Sequence, residues 1–286
     1  MKITDILNSQ RLSLSYEVFP PKTGEMLDSV RNTALEIAKL SPSFMSVTYG
    51  ASGGTSEYTL DIAKNLKDSG VPSLAHLTCV SSSKSQIRDR LTALKAAGIE
   101  NILALRGDIP ESGAPYDDYK YASELVSDIR AAGDFCIGGA CYPETHPESE
   151  NSFKDIENLK RKVDAGVSFL TTQMFFDNNV YYNFLYRLDR AGVKVPVIAG
   201  IMPVVNPKSI KRICRISGTA LPQRFVRIVD RFADNPEALK QAGVAYATEQ
   251  IIDLFANGVK AVHVYSMNRP DIAKMINDNV SEIIKC

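Results

Sequence analysis

Cysteine is sparse in this 286-residue chain and is not arranged to bind metal or form cross-links. The five cysteines, Cys79, Cys136, Cys141, Cys214 and Cys286, form no CxxC pair, and their number is odd. That pattern argues against a disulfide framework, a zinc site and an iron–sulfur cluster held by this chain alone. Reduced thiols in the cytosol are the simple reading. Charge of one sign is not in excess either. Lys+Arg and Asp+Glu are both 33, the formal net charge is zero, and no like-charge block reaches five residues. Nothing in that balance favours nucleic acid or an anionic membrane as partner. No run of about 18 apolar residues exists, so no membrane span is expected. The N-terminus, MKITDILNSQRLS, lacks the apolar core of a signal peptide. GxGxxG, GxxxxGK[ST] and GxSxG are all missing, so any nucleotide must be bound without a Rossmann or P-loop signature.

What the chain does have is a repeat. Eight short apolar stretches each precede a helical pattern: Leu14–Phe19, Phe44–Tyr49, Ser73–Thr78, Asn101–Leu105, Cys136–Cys141, Ser168–Gln173, Pro196–Ile201 and Ala261–Tyr265. Seven end in polar or charged residues; the seventh in order, ending in Met202-Pro203, does not. Strand then helix, eight times over, reads as an α/β protein with a (β/α)8 TIM barrel, expected as one catalytic domain over residues 1–286. Helices fit Glu25–Leu40, Glu57–Asp68, Lys84–Ala97, Lys120–Ala131, Ser152–Ala165, Val180–Arg190 and Pro207–Ser217. The first carries a stripe of Met26, Val30, Leu35 and Ile37. Gly70, Gly98, Gly133, Gly166 and Gly192 follow five helices as C-caps should. Asp108–Tyr119 and Ala220–Gly258 are longer than a crossover needs. The second has room for an extra helix before a longer one starting near Pro236.

In such a barrel the strands' C-terminal ends build the site. Period 2 puts Glu17 on one face with Ser13 and Ser15, inside the barrel and near its mouth. Partly desolvated there, its carboxyl would have a raised pKa and serve as a general acid; the alternative is an ordinary rim ion pair. Arg106-Gly107-Asp108 turns tightly after strand four, either facing the mouth or bracing the loop as an Arg–Asp pair. His76 reads as a hydrogen-bonded core histidine. Gln173 is stranger, because a buried amide needs several partners and a polar small molecule could supply them. His146, in the stiff loop Tyr142–Pro147, has no second histidine near it in sequence, so no metal is expected. Asp155, Asn158 and Lys162 share one face of the following helix: a solvated row, or a row turned to a ligand with Lys162 offered to a phosphate or ribose.

Taken together these segments resemble the methylenetetrahydrofolate reductase family, flavoprotein (β/α)8 barrels. The resemblance rests on YEVFPPK (16–22), SVTYGA (46–51), AHLTC (75–79), ALRGD (104–108), YPETHPE (142–148), NLKRKVDAG (158–166), TQMFFD (172–177) and HVYSMNR (263–269). It covers roughly residues 11 to 280, and eight motifs in order make it specific. It implies noncovalent FAD at the barrel mouth, reduced by NADH or NADPH, and transfer of a hydride to 5,10-methylenetetrahydrofolate to give 5-methyltetrahydrofolate, within one-carbon metabolism and methionine synthesis. Glu17 matches the family's general acid and Asp108 the carboxylate between flavin and folate. Tyr49, Ala51, His76, Arg106, Gly107, Tyr121, Ala122, Tyr142, His146, Asp155, Asn158, Arg161 and Lys162 match FAD positions. Gln173 and Arg269 match folate contacts, with Ser209 and Tyr265 placed on the same side; Thr48 and Gln173 match the nicotinamide region. Some members carry a Gln and a Phe on a lid helix where this chain has Ser209 and Ile213. The resemblance also implies a cytoplasmic homo-oligomer, no C-terminal regulatory domain, and, as an alternative to NAD(P)H, a partner protein as electron donor. Two rivals stand beside it: a flavin-free barrel lyase or aldolase using Glu17 as acid/base, and a flavin subunit working only inside a complex.

Overall fold

The computed structural model describes residues 1–9, 11–49, 56–109 and 113–286. Its elements run α1 (Ile3–Asn8), β1 (Ser13–Val18), α2 (Leu27–Ala38), β2 (Met45–Val47), α3 (Ser56–Asp68), β3 (Ser73–Thr78), α4 (Lys84–Ala96), β4 (Asn101–Leu105), α5 (Ala122–Ala132) and β5 (Cys136–Cys141). They continue with α6 (Ser152–Asp164), β6 (Phe169–Thr172), α7 (Asn178–Arg190), β7 (Val197–Ile201), α8 (Pro207–Ser217), α9 (Gln223–Arg231), α10 (Pro236–Ala256), β8 (Ala261–Val264) and α11 (Pro270–Val280). The eight strands close into one barrel, each parallel to its neighbours, with Ser13 of β1 in register with Ala261 of β8. This is the (β/α)8 barrel that the repeat predicts.

Each strand offers the helices an apolar outward face. On β1, Leu14, Tyr16 and Val18 point out into the main core beneath the helices. The inward faces divide along the barrel axis. Near the N-terminal end, Phe44, Leu74, Leu103, Phe169 and Ile198 fill the interior and pack against Ile3 of α1. The Ile3 N–H donates to Asn101 Oδ1 at 2.8 Å, so α1 closes that end. Gly138 makes this layer fit, since a Cβ there would sit 2.5 Å from the Phe169 ring. Toward the C-terminal end the inward residues become polar: Ser15, Glu17, Ser46, His76 and His263.

Helix starts are set by side-chain caps. Ser83 and Gln86 form a capping box on α4, and Asn151, Asp177, Asn206 and Asn235 cap α6, α7, α8 and α10. Two expectations need correction. The first long helix does not begin at Glu25: residues Gly24–Met26 form a 3-10 turn and α2 starts at Leu27. Met26 is exposed, and Val30, Ala34, Ile37 and Ala38 make the buried stripe, a closer fit to the 3.6 period. Gly133 is extended at φ 161°, not a left-handed cap like Gly70, Gly98 and Gly192. The excess length of 220–258 does hold the extra helix, α9, before α10 begins at Pro236.

Candidate active site

Glu17 sits where the barrel interior turns polar. Its Oε2 lies 3.3 Å from Ser46 Oγ, 3.6 Å from His76 Nε2 and 4.0 Å from His263 Nε2. Burial pushes its carboxyl up from the usual carboxylate range to about 8, and the Ser46 contact pulls only partly against that. At neutral pH Glu17 is therefore mostly a carboxylic acid. Burial also pushes His76 and His263 down to about 3, His263 further still through repulsion from His76. Both imidazoles are neutral, so neither holds Glu17 as an anion.

A wire of hydrogen bonds runs behind the acid. His263 Nε2 is 3.0 Å from Ser46 Oγ, and His263 Nδ1 is 2.8 Å from Ser15 Oγ. Ser15 Oγ also lies 3.1 Å from the Val262 carbonyl oxygen, so its one proton has two acceptors within reach, that carbonyl and Nδ1. Ser46 has one proton. It goes to Glu17 Oε2, so Ser46 Oγ is left to accept from His263 Nε2–H. Phe44 stacks on the His263 ring at 5.6 Å and Tyr265 meets it edge-on at 5.5 Å, fixing its plane.

Around Glu17 stand residues from β5, β6 and β8. The Tyr265 hydroxyl donates to the Thr172 carbonyl at 2.5 Å, and burial followed by the Glu17 charge raises its pKa strongly. Gln173 is half-buried; its Oε1 accepts from the Met174 N–H at 2.9 Å, and the amide also meets the Tyr142 hydroxyl. Burial raises Tyr142, and the Asp108 charge adds to it, so Asp108 reaches across from the end of β4. Asp108 itself is exposed. Arg269 is at the start of α11, forked onto Asp271 at 2.8 and 2.9 Å.

The β3–β6 side carries the cations. Arg106 forks onto Glu148 at 2.5 and 2.7 Å, not onto Asp108, so the alternative of an Arg–Asp brace gives way to an Arg–Glu one that leaves Asp108 unclaimed by it. Gly107 has φ +86°, a turn that suits glycine. Asp155 accepts from the His146 N–H at 3.1 Å and from Ser149 Oγ at 3.2 Å. Lys162 is drawn to the Ala140 carbonyl at 2.7 Å, and burial lowers its pKa. The polar row of α6 therefore splits: Asp155 and Lys162 turn to the β5 end, while Asn158 and Arg161 stay exposed. Tyr142 meets His146 edge-on at 4.5 Å. His76 Nε2 is buried without a hydrogen-bond partner, a polar atom facing the mouth. A cleft of about 320 Å³ opens beside it, lined by Tyr49, Gln86 and Arg90 among others.

Other predicted positions are less central. The Thr48 carbonyl receives the Thr59 hydroxyl at 2.9 Å. Tyr121 is exposed at the cap of α5 and Ala122 is buried behind it. The Ser209 N–H donates to Asn206 Oδ1 at 3.0 Å, while Ile213 faces inward against a cluster that includes Met174 and Tyr265. Ala51 lies outside the described residues. Sequence reasoning missed Ser46 and His263. His263 is far from Glu17 along the chain, but β8 closes the barrel against β1 and brings it within 4.0 Å. Period-2 reading of VHVYS would have turned it inward.

A family model described as methylenetetrahydrofolate reductase matches residues 2–281. The 5,10-methylenetetrahydrofolate reductase of Escherichia coli (strain K12) is 38% identical over 268 residues, covering 93% of this chain and 90% of that one. The protein of the same name from Pectobacterium carotovorum subsp. carotovorum is 36% identical over 267 residues, covering 93% and 89%. Methylenetetrahydrofolate reductase (NADH) 1 of Zea mays is 35% identical over 93% of this chain but only 48% of its own length. Among solved structures, an uncharacterized protein from Clostridium thermocellum that binds two copies of 5-methyl-5,6,7,8-tetrahydrofolic acid superposes with a TM-score of 0.72 over 99% of this chain and 98% of that one; at 16% identity it shares the fold alone. With the family match running over nearly the whole chain and an acid held un-ionised at the barrel mouth, this chain belongs to the methylenetetrahydrofolate reductase family of oxidoreductases.

Proposed function

We propose that the chain reduces 5,10-methylenetetrahydrofolate to 5-methyltetrahydrofolate with FAD and NAD(P)H, supplying one-carbon units toward methionine synthesis. The observation that carries this reading is Glu17, a carboxyl inside the mouth with a pKa near 8. Opening the folate's five-membered ring needs a proton on the departing amine nitrogen. An acid neutral at pH 7 and within one hydrogen bond of that nitrogen can deliver it. Breaking the carbon–nitrogen bond leaves a cationic iminium. Asp108, exposed at the end of β4 and not tied up by Arg106, can face that cation. Gln173, Tyr265 and Arg269 are assigned to the folate side.

The residues present fit a flavin nucleotide. The orphaned His76 nitrogen, the cations Arg106, Arg161 and Lys162, and the tight turn at Gly107 lie together around β3–β6. They would hold FAD together with Thr48, Tyr49, Ala51, Asp108, Tyr121, Ala122, Tyr142, His146, Asp155 and Asn158. When bound, FAD supplies a hydride carrier between NAD(P)H and the folate. Lys162 and Arg106 would give up their present partners, a backbone carbonyl and Glu148, in favour of a diphosphate. The protein is read as one catalytic barrel and a cytoplasmic homo-oligomer. No helix among the described residues is long and apolar enough to cross a membrane.

The test is the visible spectrum of the purified chain, recorded anaerobically before and after NADH. A flavin spectrum that bleaches supports an NADH-dependent reductase. A flavin spectrum that does not bleach moves the donor to NADPH or a partner protein. No flavin even after FAD is supplied overturns the reading and leaves the flavin-free barrel.

A further inference from the structure

Strand β1 is held along two edges, and one of them runs out at the acid. Backbone groups of its odd-numbered residues face β8, as the Ser13 N–H donating to the Lys260 carbonyl at 2.7 Å shows. Those of its even-numbered residues face β2, where the Thr48 N–H donates to the Val18 carbonyl at 3.0 Å. Pairing with β2 continues through Glu17 with Ser46 and Val18 with Val47. Pairing with β8 stops at Tyr16 with Val264, one residue before Glu17. From there β8 turns to its other neighbour: the Tyr265 N–H donates to the Ile201 carbonyl of β7 at 2.9 Å.

Side chains from the following turn take over the abandoned edge. Ser266, buried, donates its hydroxyl to the Glu17 carbonyl at 2.8 Å. Asn268 pairs with both backbone groups of Phe19. Its Oδ1 accepts the Phe19 N–H and its Nδ2 donates to the Phe19 carbonyl, each at 2.9 Å. A side-chain amide set this way copies the donor and acceptor of a strand residue. The next two residues, Pro20 and Pro21, have no N–H to offer, so Phe19 is the last point at which this edge can be tied on both groups. The turn that presents Asn268 is uncommon. The Arg269 N–H donates to the Ser266 carbonyl at 3.0 Å, and both central residues are left-handed, Met267 at φ 55° and Asn268 at φ 53°. Gly, Asn and Asp dominate turns with two positive φ values, and methionine sits there against that preference. Backbone held in such a region persists where its surroundings fix it, and it gathers at functional sites.

We infer that Asn268, assisted by Ser266, is a positioning residue for Glu17, and the inference rests on the function proposed above. The amide extends the β1–β8 ladder past its end and pins the backbone two residues beyond the acid. Ser266 pins the carbonyl of the acid itself. Proton delivery needs the carboxyl placed to within about 0.5 Å, and a strand end tied on one edge only would let it swing toward solvent. The same turn leads into Arg269, the N-cap residue of α11 assigned to the folate side. One turn therefore holds both the acid and a folate contact.

The test is Asn268→Gly in the FAD-loaded protein, with the two half-reactions followed separately by stopped flow. Glycine takes positive φ freely, so this variant keeps the turn and deletes only the amide. Flavin reduction by NADH is expected to be unchanged, while folate reduction slows about tenfold or more. A loosened, better solvated carboxyl ionises more easily, so the alkaline limb of the folate half-reaction moves down from about pH 8. The flavin-free variant reports the same shift without folate, as a smaller loss of melting temperature between pH 6.5 and 8. Folate reduction at the unsubstituted rate overturns the inference and leaves Asn268 as a turn former. Any fall in rate that leaves the alkaline limb and the melts where they were overturns it too, because a merely structural role gives that result. A protein that binds no flavin or reduces no folate before any substitution would instead overturn the functional reading beneath it.

Discussion

Glu17 and Gln are nearly isosteric, so replacing one with the other removes the proton and little else. Glu17→Gln is expected to retain flavin and its reduction by NADH, while folate reduction falls by at least about a hundredfold. Stopped-flow measurement of the two half-reactions separates them, and normal folate turnover would end the assignment. Ser46 acts through Glu17 and is a positioning residue. Its contact is what holds the Glu17 pKa down against burial. Ser46→Ala should therefore move the alkaline limb of the folate half-reaction upward from about pH 8, by up to about half a unit. A purely structural role would lower the rate without moving the limb. At this scale the sequence was uneven as a guide. Glu17 and Gln173 stood out because polar residues in apolar runs are anomalous. Ser46 and His263 did not, because their importance comes from strand closure, which brings positions 217 residues apart within 3.0 Å.

Elements are positioned by close approaches that composition does not advertise. Gly243, in the middle of α10, faces the loop between β7 and α8. A Cβ there would come within 1.8 Å of the Val204 carbonyl oxygen, which is backbone and cannot swing away. Gly243→Ala should push that loop aside and destabilise the protein by about 2–3 kcal/mol. That corresponds to roughly 5–10 °C in a circular dichroism melt. An unchanged melting temperature would show that α10 and the loop already have slack. The strands themselves were legible because buried parallel strands read as short runs rich in apolar residues. Helix ends were legible where glycine or a capping side chain marks them. Gly24–Met26 was not, since a 3-10 turn and the first turn of an α-helix share their residue preferences. Gly133 was not, since a glycine after a helix need not be left-handed.

For the molecule as a whole, the buried cluster at the mouth ties stability to pH from both sides. His76 and His263 are neutral in the fold, with pKa values near 3, but would protonate near 6.5 when unfolded. Between those values the unfolded state binds more protons, so stability rises with pH and their contribution is lost as pH falls from 6.5 toward 3. Glu17 works in the other direction. Its folded pKa of about 8 exceeds its unfolded value of 4.5, so the folded state binds more protons between them. Stability falls as pH rises through that window and levels off above 8. Below pH 6.5 the two histidines outweigh one carboxyl; at 6.5 the two half-protonated unfolded imidazoles balance it, and above it Glu17 outweighs them. The cluster thus places a maximum near pH 6.5. The net loss from there to pH 8 is about 1 kcal/mol, or roughly 2–4 °C in melting temperature. Thermal melts of the flavin-free protein across pH 5 to 9 check the shape. Glu17→Gln cannot ionise and should flatten the alkaline side while leaving the acid side in place. If both limbs survive the substitution, the alkaline loss comes from other groups and Glu17 is not held un-ionised at neutral pH. The proton donor proposed for the folate step would then be absent at the pH where the reaction needs it.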